Sequence, residues 1–438
     1  MFLDGIALTF ILLVVAGLVA AGVCGWTLNQ RMFLALVLGV ILGCLFKWWQ
    51  PYAIDNLRIS QSVLLFLGQA YFSLLKMLVV PLILTSIIHA VLQLGGHQKG
   101  ILTRIAWKTV ALLLIMTAIA SAIGMVVAME LGVGQGMSLP TMTLAPEHQY
   151  TGLADALLGM LPSNPVATMV DNNAIGMVIF AVLVGAAGLM LGKDNPEKLA
   201  PFQNWLQSMF LVMKKLASLV IRLTPYGVFG LMADVMIEQG AQSLQGLLMF
   251  ALAMYLAMIL VLVMHSIILW FLGRQKPWQY YRVAYVPLLV AFSTRSSFGT
   301  LPVTEETLAK SLHLRQVTAT FVPSVGATMG MNACAGIFPA VLVVMAMNIT
   351  GQPITVGMIA LVMLVNTMAS LGISGVPGTA FVAATVTLTT LGLPYSVVGL
   401  VQGIDPIIDM GRTAVNVNGT MTAAVVADRT TRNLVTHL

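Results

Sequence analysis

The chain has 438 residues, of which 59% are hydrophobic and 8% charged, with a formal net charge of +6. Soluble domains are about 25% charged, so this composition lacks the polar surface of a soluble protein and points to a polytopic membrane protein. The positive balance does not indicate nucleic-acid binding, because most basic residues sit in short loops between apolar runs.

The apolar runs are long and do not alternate, which favours a helical bundle over a β-barrel. A span needs roughly 20 apolar residues. In chain order the predicted spans are 6–26, 32–49, 62–92, 109–131, 172–191, 202–236 and 247–272. The first run has no basic start and no A-x-A site, so it reads as a retained span rather than a cleaved signal. Cys24, Cys44 and Cys334 lie in apolar segments without metal-ligand spacing and imply neither a disulfide nor a metal site. One long polar insertion, 134–163, separates two spans.

Beyond residue 272 the pattern changes. The runs 285–308 and 354–391 are apolar but interrupted by the polar, glycine-rich tips "STRSSFGT" and "ASLGISGVPG". Between them a helix is predicted over 316–347, broken at "GMNACAG", and a final helix over 395–427. Arg31, Lys99, Arg104, Lys108, Lys193, Lys198, Arg274, Lys276, Arg282, Arg429 and Arg432 mark cytoplasmic loops. The N-terminus is then outside and the C-terminus inside; Lys47 and Arg58 run against this scheme and are outnumbered. The scheme closes only if the two interrupted runs enter and leave on the same side as re-entrant hairpins. Irregular backbone at membrane depth persists only when buried in protein or lining a cavity, and two opposed hairpins form an inverted pair typical of transporters.

The final helix contains "GIDPIIDMGRTAVNVNG". Asp405, Asp409, Arg412 and Asn416 are spaced by four, three and four, which puts them on one helical face. Thr413 adjoins that face. Ionisable groups at depth cost at least ~2.5–3.5 kcal/mol each. An internal Asp–Arg ion pair would explain one Asp and the Arg. A grip on a small zwitterion would use the whole stripe, with a carboxylate for the ammonium and a guanidinium for an anionic group.

In this order, "STRSSFGTLPVT", "GATMGMNACAG", "ASLGISGVPG" and "GIDPIIDMGRTAVNVNG" resemble the motifs of the dicarboxylate/amino acid:cation symporters, the glutamate-transporter family. The likeness runs from about residue 34 to the C-terminus. "NACAGIFPA" and the extra first span look most like the bacterial L-cystine symporters. The resemblance implies an all-α transporter fold with one added N-terminal span and two re-entrant hairpins. It implies a homotrimer in the bacterial inner membrane, in which a transport domain slides like an elevator on a rigid scaffold. On that fold, residues 1–30 are the extra span, 31–108 scaffold spans with part of the transport domain, and 109–192 one transport span and one scaffold span. Residues 193–240 form the scaffold and trimerisation helix, and 241–438 the rest of the transport domain.

The same resemblance implies that Asp409 takes the substrate ammonium and Arg412 a distal carboxylate. Thr413 and Asn416 hydrogen-bond the substrate, Asn416 at its α-carboxylate. Backbone groups of Arg295, Ser296 and Ser297 come from the first tip, and those around Val376 to Gly378 from the second, the extracellular gate. Sodium-coupled members carry carboxylates where this chain has Asn332 and Thr420, and an asparagine at Gly330. Hydroxyl-bearing positions of the fourth span fall on Leu113, Met116 and Thr117. Hard cations want oxygen ligands with carboxylate charge, so two sodium sites are expected to be lost or weakened; weak coordination by the neutral Asn and Thr is the alternative. A third site, built on Ser370, Leu371 and Ile373 with Thr328, could survive. Coupling then uses one sodium ion, protons, or both, with Asp405 the possible proton site. No cofactor is expected.

Cys334 replaces a threonine that touches substrate, Phe298 a serine of the first tip, and Ala380 a glycine of the second. These swaps argue against a plain aspartate pocket, while Arg412 argues for a second anion; L-cystine meets both conditions. Glutamate, aspartate or a C4-dicarboxylate is the alternative substrate. An ion channel could share the hairpins but has no use for the Asp409–Arg412 pair. An enzyme would need a nucleophile–base or metal constellation, and the sequence has none; it also has no G-x-x-x-x-G-K-[ST] loop for ATP. His97, His148 and His313 lie in loops and form no ligand cluster, and the 29 methionines read as packing. Lys214, Lys215 and Arg222 are expected on the scaffold helix near lipid headgroups, and Thr224-Pro225-Tyr226-Gly227 as a helix break.

Overall fold

The computed structural model describes residues 2–53, 58–95, 101–137, 161–170, 174–239, 241–372 and 379–432. Ile373, Val376, Gly378 and most of the 134–163 insertion lie outside them. All the regular secondary structure among the described residues is helical, with no strand among them. The first helices are α1 (Phe2–Val23), α2 (Leu28–Ala53), α3 (Arg58–Met77), α4 (Val79–Gly95) and α5 (Ile101–Glu130). Then come α6 (Pro165–Val170), α7 (Ala174–Asp194), α8 (Pro196–Ile221), α9 (Thr224–Gln239) and α10 (Ala241–Phe271).

Among the described residues, six helices are long and apolar enough to cross a membrane, or up to seven if the bent pair Pro196–Ile221 and Thr224–Ile237 counts as one span. The predicted span 62–92 is instead two helices, α3 and α4, broken just ahead of Pro81. The predicted span 202–236 bends by 51° between α8 and α9, just before Pro225. The predicted final helix is divided at Gly403–Ile404, ahead of Pro406, into α17 (Ser396–Gln402) and α18 (Asp405–Arg432). The three breaks share a feature: each precedes a proline, which lacks an N–H and whose ring clashes with the preceding turn, so that it favours the first turn of a new helix.

α1 is docked by burial and by a cap. Ala7, Ile11, Val14 and Leu18 join Ala35, Leu42 and Phe46 of α2, Leu64 of α3 and Phe229 and Ala233 of α9 in one apolar cluster. The Asp4 carboxylate accepts from the backbone N–H of Ile59 (3.3 Å) and Ser60 (3.0 Å) and from the Ser60 hydroxyl. These N–H groups are orphan donors at the start of α3, where negative charge also suits the helix dipole. The N-terminal ends of α1 and α3 therefore sit together.

The interrupted segments follow. The first consists of α11 (Pro277–Thr294), the tip 295–300 and α12 (Leu301–Glu306), which continues as a π-helix over Thr307–Ser311. Where it enters, Arg429 donates to the carbonyl of Gly273 (3.0 Å). Where it leaves, Arg315 Nε donates to Asp428 Oδ1 (2.7 Å), and Arg315 Nη2 reaches the Asp428 carbonyl and the Thr431 hydroxyl. Both ends of this hairpin thus lie at the C-terminal end of α18. Its 18-residue first leg is about 27 Å long at 1.5 Å per residue, matching the rise of about 28 Å from Asp428 back to Asp409. The tip consequently reaches the carboxylates at the other end of α18.

α13 (Gln316–Gly326) is followed by non-helical residues 327–331, a π-helix over Asn332–Ile337 and α14 (Phe338–Thr350). The break thus starts earlier than the predicted "GMNACAG", most of which winds as the π-helix, a form that recurs at functional sites. α15 (Val356–Ala369), with a 3₁₀ turn over Ser370–Gly372, packs beside α16 (Ala380–Thr390) as the two legs of the second hairpin. Asn366 joins them: it accepts from Thr387 and donates to Ser121 of α5 (2.8 Å) and to the Gly336 carbonyl (3.2 Å).

α2 and α9 cross at backbone contact. A Cβ on Gly43 would lie 2.5 Å from the Ala233 carbonyl and the Met236 Cβ, and one on Gly39 2.7 Å from the Phe229 carbonyl. Small residues four apart let helices approach this closely. Gly43→Val is therefore expected to lower the melting temperature of the detergent-solubilised protein by several degrees, since overpacking costs about 1–3 kcal/mol. Gly17→Val, where a Cβ meets nothing within 4 Å, is the control expected to melt as wild type; equal melting of both variants would refute the close crossing.

Candidate functional site

The centre of the site is the first two turns of α18. Asp405 is its first residue, so its carboxylate sits at the positive end of the helix dipole. One turn later Asp409 and then Arg412 follow on the same face. Arg412 Nη2 donates to Asp405 Oδ1 (2.5 Å) and Asp409 Oδ1 (3.0 Å). The guanidinium carbon lies 4.2 Å from the centroid of the Phe338 ring. That ring is held edge-on by Phe250 and Phe381. Arg412 is fully buried, yet its Nε and Nη1 have no hydrogen-bond partner.

Arg295 supplies a second guanidinium. It ends α11 in the left-handed conformation (φ 54°), which ordinary side chains rarely adopt. Its Nε lies 3.8 Å from Asp409 Oδ2 and its Nη1 3.7 Å from the Met32 sulfur. Two carboxylates and two guanidiniums thus share a buried site in which their formal charges balance. At 3.8 Å the Arg295–Asp409 contact is an ion pair rather than a hydrogen bond, so Asp409 Oδ2 keeps accepting capacity.

Asn416 sits one turn beyond Arg412. Its Oδ1 accepts from the backbone N–H of Ala333 (2.8 Å) and Cys334 (3.4 Å), and its Nδ2 donates to the Cys334 sulfur (3.0 Å). It thereby caps the π-helix. The Thr413 hydroxyl donates back to the Asp409 carbonyl (2.8 Å). At the tip, the Ser296 hydroxyl accepts from Gly299 N–H (3.1 Å), its carbonyl from Thr300, and Ser297 is buried. The structure thus brings Arg295, Cys334, Asp405, Asp409, Arg412 and Asn416 into one connected cluster, with Thr413 beside them on α18.

Of the cation-ligand candidates, the Thr328 hydroxyl donates to Val325 O (2.8 Å), and the Ser370 carbonyl accepts from Gly330 N–H (2.8 Å). Each oxygen retains a lone pair, and Leu371 follows in the same 3₁₀ turn. No group of three or more His, Cys, Asp or Glu could hold a metal ion among the described residues.

Several contributors were not read from the sequence. The side chain of Arg295, and not only its backbone, faces Asp409; a charged residue interrupting an apolar run was the available signal. Phe338 under Arg412 had none, because stacking across two elements leaves no local pattern. His265, an ionisable residue inside a 27-residue apolar helix, was such a signal; it lies fully buried against Asn332 and Asn418. Lys214 of α8 was not expected at this hairpin, and its ammonium stands 3.5 Å from the centroid of Phe298 at the tip.

Comparison with known proteins gives the wider context. The model described as the sodium:dicarboxylate symporter family matches residues 28–430. The chain is 33% identical over 415 residues to the "L-cystine uptake protein TcyP" of Bacillus thuringiensis (strain Al Hakam), covering 92% of this chain and 89% of that protein. It is 35% identical over 418 residues to an "Uncharacterized symporter" of Haemophilus influenzae, covering 92% and 93%. The TcyP protein of Bacillus licheniformis is 31% identical over 421 residues, covering 93% and 90%. The matched segment takes in α2 to α17 and all but the last two residues of α18, with the ion cluster inside it, and the chain therefore belongs to the sodium:dicarboxylate symporter family, whose members are transporters and not enzymes.

Proposed function

We propose that the protein imports an amino acid bearing a distal carboxylate, with L-cystine the substrate of choice, by cation-coupled symport. The observation that carries this reading is the state of Arg412 and Asp409. A buried guanidinium with two unsatisfied nitrogens stands beside a carboxylate with an oxygen to spare. Buried donors left unpaired are costly, and an anionic group on the ligand would satisfy them while Asp409 takes the ammonium. The names of the Bacillus relatives support cystine. Glutamate, aspartate or a C4-dicarboxylate is the competing substrate class.

The transporter works as a homotrimeric elevator in the bacterial inner membrane, N-terminus outside and C-terminus inside. Residues 1–30 add a peripheral span, the scaffold centres on 193–240, and 241–438 carry the substrate. Val376 and Gly378 belong to the second gate. The residues that would hold a coupling sodium ion are Thr328, Ser370, Leu371 and Ile373, whose oxygens supply ligands without charge. Asp405 is the group that would carry a proton in its place.

Proteoliposomes loaded under separate sodium and proton gradients test the function. Saturable cystine uptake driven by either gradient is expected; conductance without saturable uptake would refute it. In the same vesicles Asp405→Asn is expected to keep substrate binding but lose pH-dependent uptake, and an unchanged pH profile would remove Asp405 from coupling.

The site assignment is tested by binding. Asp409→Asn leaves the ammonium without its counter-charge, and Arg412→Ala leaves Asp405 without its buried partner and the substrate's distal carboxylate without a cation. Truncating one partner of a buried charge pair between protein and ligand costs about 2–5 kcal/mol of binding, so each variant is expected to lose about a hundredfold in substrate affinity by calorimetry. Near-wild-type affinity in either would overturn the assignment.

A further inference from the structure

Asn332 is fully buried at the start of the π-helix. Its Nδ2 points at three oxygens: Thr117 Oγ1 at 3.0 Å, Gly330 O at 3.2 Å and Leu113 O at 3.3 Å. Three converging oxygens, two of them carbonyls, are the donor set a hard cation asks for. Here an amide nitrogen occupies the position. The assignment of nitrogen and oxygen is fixed by the neighbours, because only the NH₂ end can face three acceptors.

The amide's other end is held just as firmly. Asn332 Oδ1 lies 3.0 Å from His265 Nε2, so Nε2 carries the proton. His265 Nδ1 then accepts from Asn418 Nδ2 (3.0 Å), and Asn418 Oδ1 accepts from the Tyr280 hydroxyl (3.0 Å). Every donor meets an acceptor from Thr117 to Tyr280 with His265 neutral. Gly419 permits the approach: a Cβ there would lie 2.1 Å from Asn332 Oδ1. Thr420, the other position where a carboxylate is absent, is likewise satisfied within the protein, its hydroxyl donating to Asn416 O (3.0 Å).

We propose that the Asn332 amide is a built-in substitute for a cation, clamped by His265 in an oxygen cage of Leu113, Thr117 and Gly330. The family name implies sodium, and at this cage the residues present do not fit it: the space is filled by N–H groups and the amide oxygen is turned away. The consequence reaches the substrate site, because Ala333 N–H, next in the chain, binds Asn416. The cap on the π-helix is thus held in place without an ion, and His265 is a positioning residue for it.

This inference deepens the symport reading and rests on it, but its test needs no substrate. The purified protein is melted in sodium chloride and in choline chloride at equal ionic strength and pH. Asn332→Asp replaces the amide nitrogen by a charged oxygen and is expected to melt below wild type in choline. Sodium is then expected to raise its melting temperature by several degrees more than it raises the wild type's. An identical sodium response in variant and wild type would overturn the proposal. Should Asn332→Asp not fold, Thr117→Val in the wild-type background decides: its melting temperature falls equally in sodium chloride and in choline chloride, because the cage holds an amide and no ion. A fall of several degrees more in sodium chloride than in choline chloride would show that the cage binds the ion and would overturn the proposal. Failure of cystine uptake leaves both readouts intact, so the two readings fail separately.

Discussion

The arrangement at the start of α18 depends on one buried guanidinium. Arg412 binds Asp405 and Asp409 through a single nitrogen and rests on Phe338. Charges out of water cost several kcal/mol each unless partners and geometry compensate. That requirement dictates the surroundings: a helix N-terminus under Asp405, a second arginine from the hairpin tip, and an aromatic face for the guanidinium. Each comes from a different element, so the cluster exists only when the hairpin, the π-helix and α18 are all in place.

The backbone breaks serve this convergence. Prolines 81, 225 and 406 each lie in the first turn of a helix that follows a break, and a break that exposes orphan backbone groups is tolerated at depth only if something else satisfies them. Asn416 does so for the π-helix, through Ala333 and Cys334. Asn366 does it between the second hairpin, α5 and the Gly336 carbonyl. Neutral amides, each with donors and an acceptor, recur at these joints because they satisfy backbone without the desolvation cost of a charge. Asn332 belongs to the same design.

Close packing sets the rest. Gly39 and Gly43 bring α2 onto α9, and Gly419 brings α18 onto Asn332 and His265. In lipid, helices gain little from burying apolar surface against each other, so contact geometry carries the association. The chain uses its glycines at those contacts.

The sequence alone determined the membrane class, the helical architecture, two interrupted hairpin segments and the stripe Asp405, Asp409, Arg412 and Asn416, because helical periodicity and charge in apolar sequence are local signals. It also led to the family through motifs in order. It did not determine where long apolar runs break, since composition continues through Pro81, Pro225 and Pro406, where the helix is interrupted, as it does through Pro287 and Pro323, where the helix runs on. Nor did it assign a side-chain role to Arg295, Phe338 or His265. Their partners lie 114 residues away for Arg295 with Asp409, 74 for Phe338 with Arg412 and 67 for His265 with Asn332. Which nitrogen faces which oxygen is decided only when those distant elements are packed, because hydrogen-bond polarity in a dry interior is a property of the neighbours and not of the residue.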